Sequence, residues 1–246
     1  MPTRLVELVV DTPDTVRLAT WWAGALGWVL EEAEPAESYV VPPEGAPGLP
    51  ITFGRNDDPK RGKNRVHLDF ASSDAAEQRE IVDRLVAAGA THADIGQGDV
   101  PWTVLADPDG NEFCVLEPRP DYDGTGVIAA IVVDAVEPAP LARFWAAASG
   151  WQVMHASNDL AGLRAPDGTG PLLEFVRTGE PHTYKNRVHL DVAGYAGDDQ
   201  AAEVERLLAA GATHADIGQS AAKPGEVTWV VLADPEGNEF CVLRSR

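Results

Sequence analysis

The residues best suited to chemistry are two histidine–aspartate pairs, His67/Asp69 and His189/Asp191. Each pair closes the same hexapeptide, Asn-Arg-Val-His-Leu-Asp, at 64–69 and again at 186–191. A histidine titrates near neutrality and a carboxylate two residues on can orient its ring, so each pair suits general acid–base work. Three readings stay open for the histidines. Between Val and Leu they can be buried structural donors, residues that touch a ligand in a cleft, or metal ligands. In a strand the aspartate falls on the same face, roughly 7 Å along, so it reaches the imidazole only through side-chain length.

The hexapeptide belongs to a longer repeat. Gly89–Gln97 returns as Gly211–Gln219, 122 residues later, and Asn111-Glu112-Phe113-Cys114-Val115-Leu116 returns as Asn238–Leu243, 127 residues later. The change of offset places five extra residues near Ser220–Glu226 in the second copy. Repetition on this scale outranks any single motif as evidence of architecture.

Within each copy the hydrophobic pattern reads β-α-β-β-β twice. Leu5–Val10 is a strand by its β-branched content. Val16, Ala19, Ala23 and Leu26 recur at helical spacing up to Gly27. Strands follow at 28–30, 39–41 and 51–53, with a Pro/Gly-rich loop over 42–50. The second module opens on Arg65–Phe70 and enters a helix through Asp74-x-x-Glu77, which resembles a capping box. Short strands are expected around Ala93–Ile95, Trp102–Leu105 and Glu112–Leu116, the last two joined by the turn formers Asp107–Asn111. The chain thus divides at 1–119 (modules 1–60 and 61–119), a linker at 120–126 within the Pro/Asp/Gly-rich stretch Pro118–Gly126, and 127–246 (modules 127–182 and 183–246).

Alternation also sorts the faces. Val66, Leu68 and Phe70 must meet the helices, as must Phe113 and Val115. Arg65, His67, Asp69 and Cys114 then look the other way. Trp102 and Trp229 match across the copies and can be core or a stacking wall for a planar ligand. Trp21, Trp22 and Trp145 lie on first helices, where packing is expected. Arg65 and Arg187 stand out in an acidic chain and could receive an anionic group.

Composition excludes several classes. Lys plus Arg is 19 and Asp plus Glu is 39, for a formal charge of −20. Such a field disfavours nucleic acids and anionic membranes. The first residues carry no signal-peptide pattern and no apolar run is long enough to span a bilayer. Two cysteines in matching positions are not a disulfide framework, and a cytoplasmic location is expected.

Paired β-α-β-β-β modules resemble the vicinal oxygen chelate superfamily of glyoxalase I, extradiol dioxygenases and bleomycin- and fosfomycin-resistance proteins. The Asp-Pro-Asp/Glu-Gly-Asn-Glu-Phe endings carry the resemblance, with a first helix bearing aromatics and stopping before Gly-Trp. Asn-Arg-Val-His-Leu-Asp is similar in particular to actinobacterial glyoxalase-like proteins. The resemblance covers residues 4–244 and implies an α+β fold of four βαβββ modules forming two glyoxalase/bleomycin-resistance-like domains in tandem. It implies curved sheets whose helix-free face lines a cleft. It further implies either that relatives pair modules between two chains, as a homodimer, or that these repeats pair within one chain as a pseudo-dimer.

The superfamily's ligand positions map to Glu7, Thr52, His67 and Cys114 in the first repeat and to Ala130, Glu174, His189 and Cys241 in the second. Cysteine stands where a glutamate is usual, and alanine cannot bind metal. If a metal is held, the sets this implies are Glu7/His67/Cys114 or Glu174/His189/Cys241, better suited to zinc than to harder ions. The expectation is a cleft without the usual metal and no cofactor, a divalent ion being the open alternative. It is expected to bind a small organic molecule, its acidity attracting a cationic or polyhydroxylated ligand, through Glu7, Arg65, Trp102, Cys114, Glu174, Arg187, Trp229 and Cys241. The alternative is a lyase, isomerase or dioxygenase using His67/Asp69 or His189/Asp191.

Overall fold

The computed structural model describes residues 3–218 and 228–246. The five extra residues expected near Ser220–Glu226 fall outside the described residues. The first module holds β1 (Arg4–Thr12), α1 (Thr15–Leu26), β2 (Val29–Ala33), β3 (Glu37–Val41) and β4 (Ile51–Arg55). The second holds β5 (Val66–Phe70), α2 (Ala75–Ala87), β6 (Thr91–His92), β7 (Thr103–Ala106) and β8 (Glu112–Val115). The third has β9 (Ile128–Ala135), α3 (Pro138–Ser149), β10 (Gln152–Ala156), β11 (Leu160–Arg164) and β12 (Leu172–Arg177). The fourth has β13 (Val188–Ala193), α4 (Gln200–Ala209), β14 (Thr213–His214), β15 (Trp229–Ala233) and β16 (Glu239–Leu243).

Local chemistry sets the helix ends. Asp14 caps α1 by accepting from the Arg17 N–H, and Gly27 stops it in the left-handed conformation at φ 66°, which only glycine adopts without strain. On α2, Asp74 accepts from the Ala76 and Glu77 N–H groups. The reciprocal arm is displaced by one residue: the Glu77 carboxylate takes the Ser73 N–H at 2.7 Å. The strand expected at Ala93–Ile95 lies earlier, at Thr91–His92. Its continuation is lost because Asp94 Oδ1 accepts from the Gly96 N–H and Gln97 Oε1 from the Ile95 N–H, and these side-chain acceptors replace a ladder partner.

The strands form two eight-stranded sheets, and each crosses the repeat boundary. Sheet I runs β14-β15-β16-β13-β1-β4-β3-β2 and sheet II runs β10-β11-β12-β9-β5-β8-β7-β6. The first module therefore shares a sheet with the fourth, and the second with the third. The seams are antiparallel, with Leu8 opposite Leu190 in one and Leu68 opposite Ile131 in the other. This is the within-chain pseudo-dimer; the boundaries 1–119 and 127–246 mark the sequence repeat, not the sheets.

Apolar side chains from both sheets and all four helices join in one core. Val66, Leu68, Phe70, Phe113 and Val115 all belong to it, as alternation requires. Helix tryptophans lock module to module within each repeat. Trp22 packs on Phe70 and Phe113, and its indole N–H donates to Asp107 Oδ2 at 3.0 Å. Trp145 does the same with Phe240 and with Asp234 Oδ2 at 3.1 Å. The Asp-Pro-x-Gly-Asn turn thus serves as an anchor as well as a hairpin: Asp107 Oδ1 also accepts from the Asp109 and Asn111 N–H groups. Among the described residues no helix is long and apolar enough to cross a membrane.

Candidate ligand clefts

The faces turned away from the helices carry two matching clusters. His67 and Asp69 leave β5 on the cleft side of sheet II, and Cys114 faces them from β8, where it pairs with Asp69 across the parallel ladder. Ligand atoms of the three lie within 4.8 Å of one another, and so do those of His189, Asp191 and Cys241 in sheet I. In both clusters the imidazole Nε2 stands 3.5 Å from the aspartate Oδ1. The reach of the side chains therefore closes the backbone separation expected from strand spacing.

Shared sheets decide which glutamate joins which histidine. Glu174, on β12, lies in the cleft of His67, Asp69 and Cys114. Glu7, on β1, pairs across the seam with Asp191. The groupings Glu7/His67/Cys114 and Glu174/His189/Cys241 are thus not brought together, because Glu7 and His67 belong to different sheets. The cross-repeat combinations form instead. Aspartates 69 and 191 supply the carboxylate nearest each histidine.

The remaining expected residues separate. Trp102 and Cys114 line the sheet II cleft; Cys241 takes the matching place in sheet I, 3.8 Å from His189 Nε2. Trp229 is partly buried at the start of β15. Arg65 is no cleft residue. Its guanidinium donates to Asn238 Oδ1 at 3.1 Å and to the carbonyls of Glu180 and Asp134, both at 2.6 Å. Arg187 likewise donates to the carbonyls of Asp58 and Asp11, at 2.7 and 2.8 Å. Both arginines stitch sheet ends because the strand has not yet entered its ladder at those residues. His92 and His214 are exposed.

The sheet II cleft encloses about 350 Å³. Trp102, Leu116, Val132, Leu160 and Val176 form apolar wall, and Lys63, Arg119, Tyr122 and Asp134 lie among them. Lys63 is bound to Asp134, and Arg119 Nε to Glu117 at 2.7 Å. The Arg119 guanidinium lies 5.6 Å from the Trp102 ring and 5.8 Å from the Tyr122 ring. Tyr122, in the short 3-10 turn Pro120–Tyr122 of the linker, donates to Glu174 Oε2 at 3.2 Å. Arg119 and Tyr122 also border an outer groove of about 570 Å³ beside α1 and α2. Sequence reasoning missed Tyr122 and Arg119, since a linker residue advertises no strand or helix face.

Burial dominates the electrostatics. It pulls His67 down to about 3, with Lys63 adding to the effect, and His189 down to about 4. It pushes Asp69 up to about 7 and Asp191 up to about 8, with Glu174 and Glu7 respectively adding repulsion. Glu174 is also raised by burial, against the opposing hydrogen bond from Tyr122. Both thiols are pushed far up by burial and by the neighbouring aspartate. Both histidines are consequently neutral at pH 7, and Asp69, Asp191 and Glu174 hold protons more readily than surface acids do.

The metal implied by the fold can be tested on these donors. His67 Nδ1 and Asp69 Oδ1 are buried without a hydrogen-bond partner, and so is Asp191 Oδ1. Imidazole, carboxylate and thiolate together fit zinc, and fit poorly the oxygen-rich sites of harder ions. The same triad occurs in both clefts, whereas the Glu7/Ala130 and Thr52/Glu174 positions differ between them.

This architecture, β-α-β-β-β modules paired across two eight-stranded sheets with a matching side-chain cluster on each helix-free face, is that of the vicinal oxygen chelate superfamily. The chain belongs to the glyoxalase-like domain family, whose model matches residues 7–116 and 130–243. Glyoxalase I from Zea mays superposes on 98% of this chain and over 92% of its own, at 14% identity and a TM-score of 0.65. A putative dioxygenase from Bacillus subtilis does so over 99% and 86%, at 13% identity and a TM-score of 0.60. At such identities the likeness is one of fold. No curated protein matches the sequence.

Proposed function

We propose that the chain binds a small organic molecule in the sheet II cleft and needs no metal to do so. The observation that supports this is the cavity of about 350 Å³. Its size falls within the range of small-molecule sites, and its mixture of apolar wall with a few convergent polar groups is their usual make-up. Sequestration of a drug or metabolite is the corresponding role. Each sheet is complete within one chain, so a monomer suffices. The cysteines are unpaired, as suits a cytoplasmic protein. His67 and Asp69 would meet the ligand with a neutral imidazole and a carboxyl near its titration point, Trp102 with its indole face. Native mass spectrometry and calorimetry against a small-molecule collection test the reading. Binding that survives alanine at both Trp102 and His67 would sink it.

A second reading is favoured by one observation, the close His67/Asp69/Cys114 and His189/Asp191/Cys241 triads. These residues would hold zinc, releasing the protons of the aspartate and the thiol as it binds. Zinc supplies a Lewis acid for a carbonyl or a bound water. The chain's own part is to exclude solvent and to offer Glu174, held by Tyr122, as a carboxyl that can take up or give back a proton. Elemental analysis of untagged protein after dialysis separates the readings. Stoichiometric zinc, lost in the Cys114→Ser/Cys241→Ser variant, would replace the metal-free account.

A further inference from the structure

The two clusters share a triad, yet the walls that β11–β12 and β3–β4 supply to them differ. In sheet II, Leu160 faces Val176 across the β11–β12 ladder. The matching pair in sheet I is Glu37 facing Gly54. An apolar wall in one cleft is a carboxylate and a glycine in the other. Across from Glu174 stands Gly162, over which only the exposed ring of His155 leans: a Cβ there would lie 2.5 Å from its Cε1. Across from Thr52, the counterpart of Glu174, stands Tyr39. Its hydroxyl is bonded to Glu37.

The acids are also held differently. Glu7 accepts from Thr52 Oγ1 at 2.8 Å and from Arg246 Nη2 at 2.9 Å. A guanidinium and a hydroxyl thus occupy the carboxylate that faces Asp191. In sheet II the counterpart arginine, Arg119, turns to Glu117 and the rings of Trp102 and Tyr122. Glu174 keeps one hydroxyl donor, and the space in front of it stays open.

Charge in the open cleft cancels locally, Lys63 against Asp134 and Arg119 against Glu117. Apart from the buried carboxyls of Asp69 and Glu174, the remaining lining is mostly apolar wall, with the indole of Trp102, which suits stacking. An anion would meet the Asp69 and Glu174 carboxyls, and a cation would have to give up its water inside a mostly apolar cavity. We propose that the chain takes up one uncharged, largely apolar aromatic molecule in the sheet II cleft, and that sheet I carries a copy of that cleft closed by its own side chains. This rests on the binding reading above and replaces the cationic ligand expected from composition.

The test uses three one-ring probes on the full chain: phenol, benzylamine and benzoate. Crystals are soaked in each, and methyl NMR spectra are followed through a titration. Phenol is expected in sheet II only, with saturable shifts at Leu116 and Val132 and none at Leu243 and Val9. The Leu160→Glu/Val176→Gly variant gives sheet II the wall of sheet I and is expected to weaken phenol about tenfold, or 1.4 kcal/mol. Phenol in both clefts, or in sheet I alone, overturns the proposal. So does a preference of the sheet II cleft for benzylamine or benzoate. If none of the three enters either cleft, the binding reading falls together with it. The soaks use the unaltered chain, so the outcome holds even where the variant fails to fold.

Discussion

Tyr122 and Glu174 are joined by a 3.2 Å hydrogen bond that ties the turn between the repeats to strand β12. Burial raises the Glu174 carboxyl, and this bond opposes the rise. In Tyr122→Phe the carboxyl loses that donor. The titration of Glu174, read by carboxyl ¹³C NMR, is expected to move upward. Urea unfolding at pH 7 is expected to show a loss of about 1 kcal/mol, the net worth of such a bond. An unchanged Glu174 titration would mean that the contact contributes nothing to the carboxyl.

The tryptophan anchors make a stability prediction. Trp22→Phe removes the indole donor from the buried Asp107, and Trp145→Phe removes it from Asp234. Each is expected to cost roughly 1–3 kcal/mol, because a buried acceptor loses a partner while the ring volume shrinks. Denaturant titration of each variant checks it. The two effects should add, since the sites share no partner.

Stability should depend on pH with a definite sign. Asp69 and Asp191 are raised to about 7 and about 8 in the fold, so the stability they contribute is full below their unfolded values and is lost as pH climbs through those figures. His67 and His189 are lowered to about 3 and about 4; theirs is full above the unfolded value and is lost as pH falls. Between pH 4 and 6.5 the two trends offset each other. Above pH 6.5 only the aspartates act, and metal-free protein is expected to lose roughly 2 kcal/mol by pH 8. Asp69→Asn/Asp191→Asn should flatten that decline. A stability that rises from pH 6.5 to 8 would contradict the burial of these acids.

Thiol chemistry offers a further check. Cys114 and Cys241 are buried, and burial and the adjacent aspartates hold both in the thiol form. Since the thiolate is the reactive species, a disulfide reagent at pH 8 should modify neither in the native protein and both in denaturant. Rapid labelling of the native chain would show that the clefts open to solvent.

Much of this was legible in the sequence. The repeat, the βαβββ order and the inward set of Val66, Leu68 and Phe70 follow from periodicity alone, because alternation and helical spacing are local properties. His67, Asp69 and Cys114 could be placed on one face for the same reason. What could not be read was which modules share a sheet. Glu7 and Glu174 changed clefts because the seams β1–β13 and β5–β9 join strands far apart in the chain, and no local pattern records such a pairing. Arg65 and Arg187 fit the alternation, but they lie just before their ladders, where a long side chain is free to turn toward carbonyls. Tyr122 sits in a segment that reads only as a linker.

The crossing of the sheets has a consequence for how the chain is made. Strand β1 is synthesised well before its antiparallel partner β13, with the second and third modules between them. Until then its edge is open, and so is that of β5 until β9 arrives. Folding of this topology must close very long loops before its central ladders form, which slows it. The first half, cut off at the linker, would leave the edges of β1 and β5 uncovered. Those are the edges that another copy of the same half could cover, so duplication and fusion turn a partnership between molecules into one within a molecule.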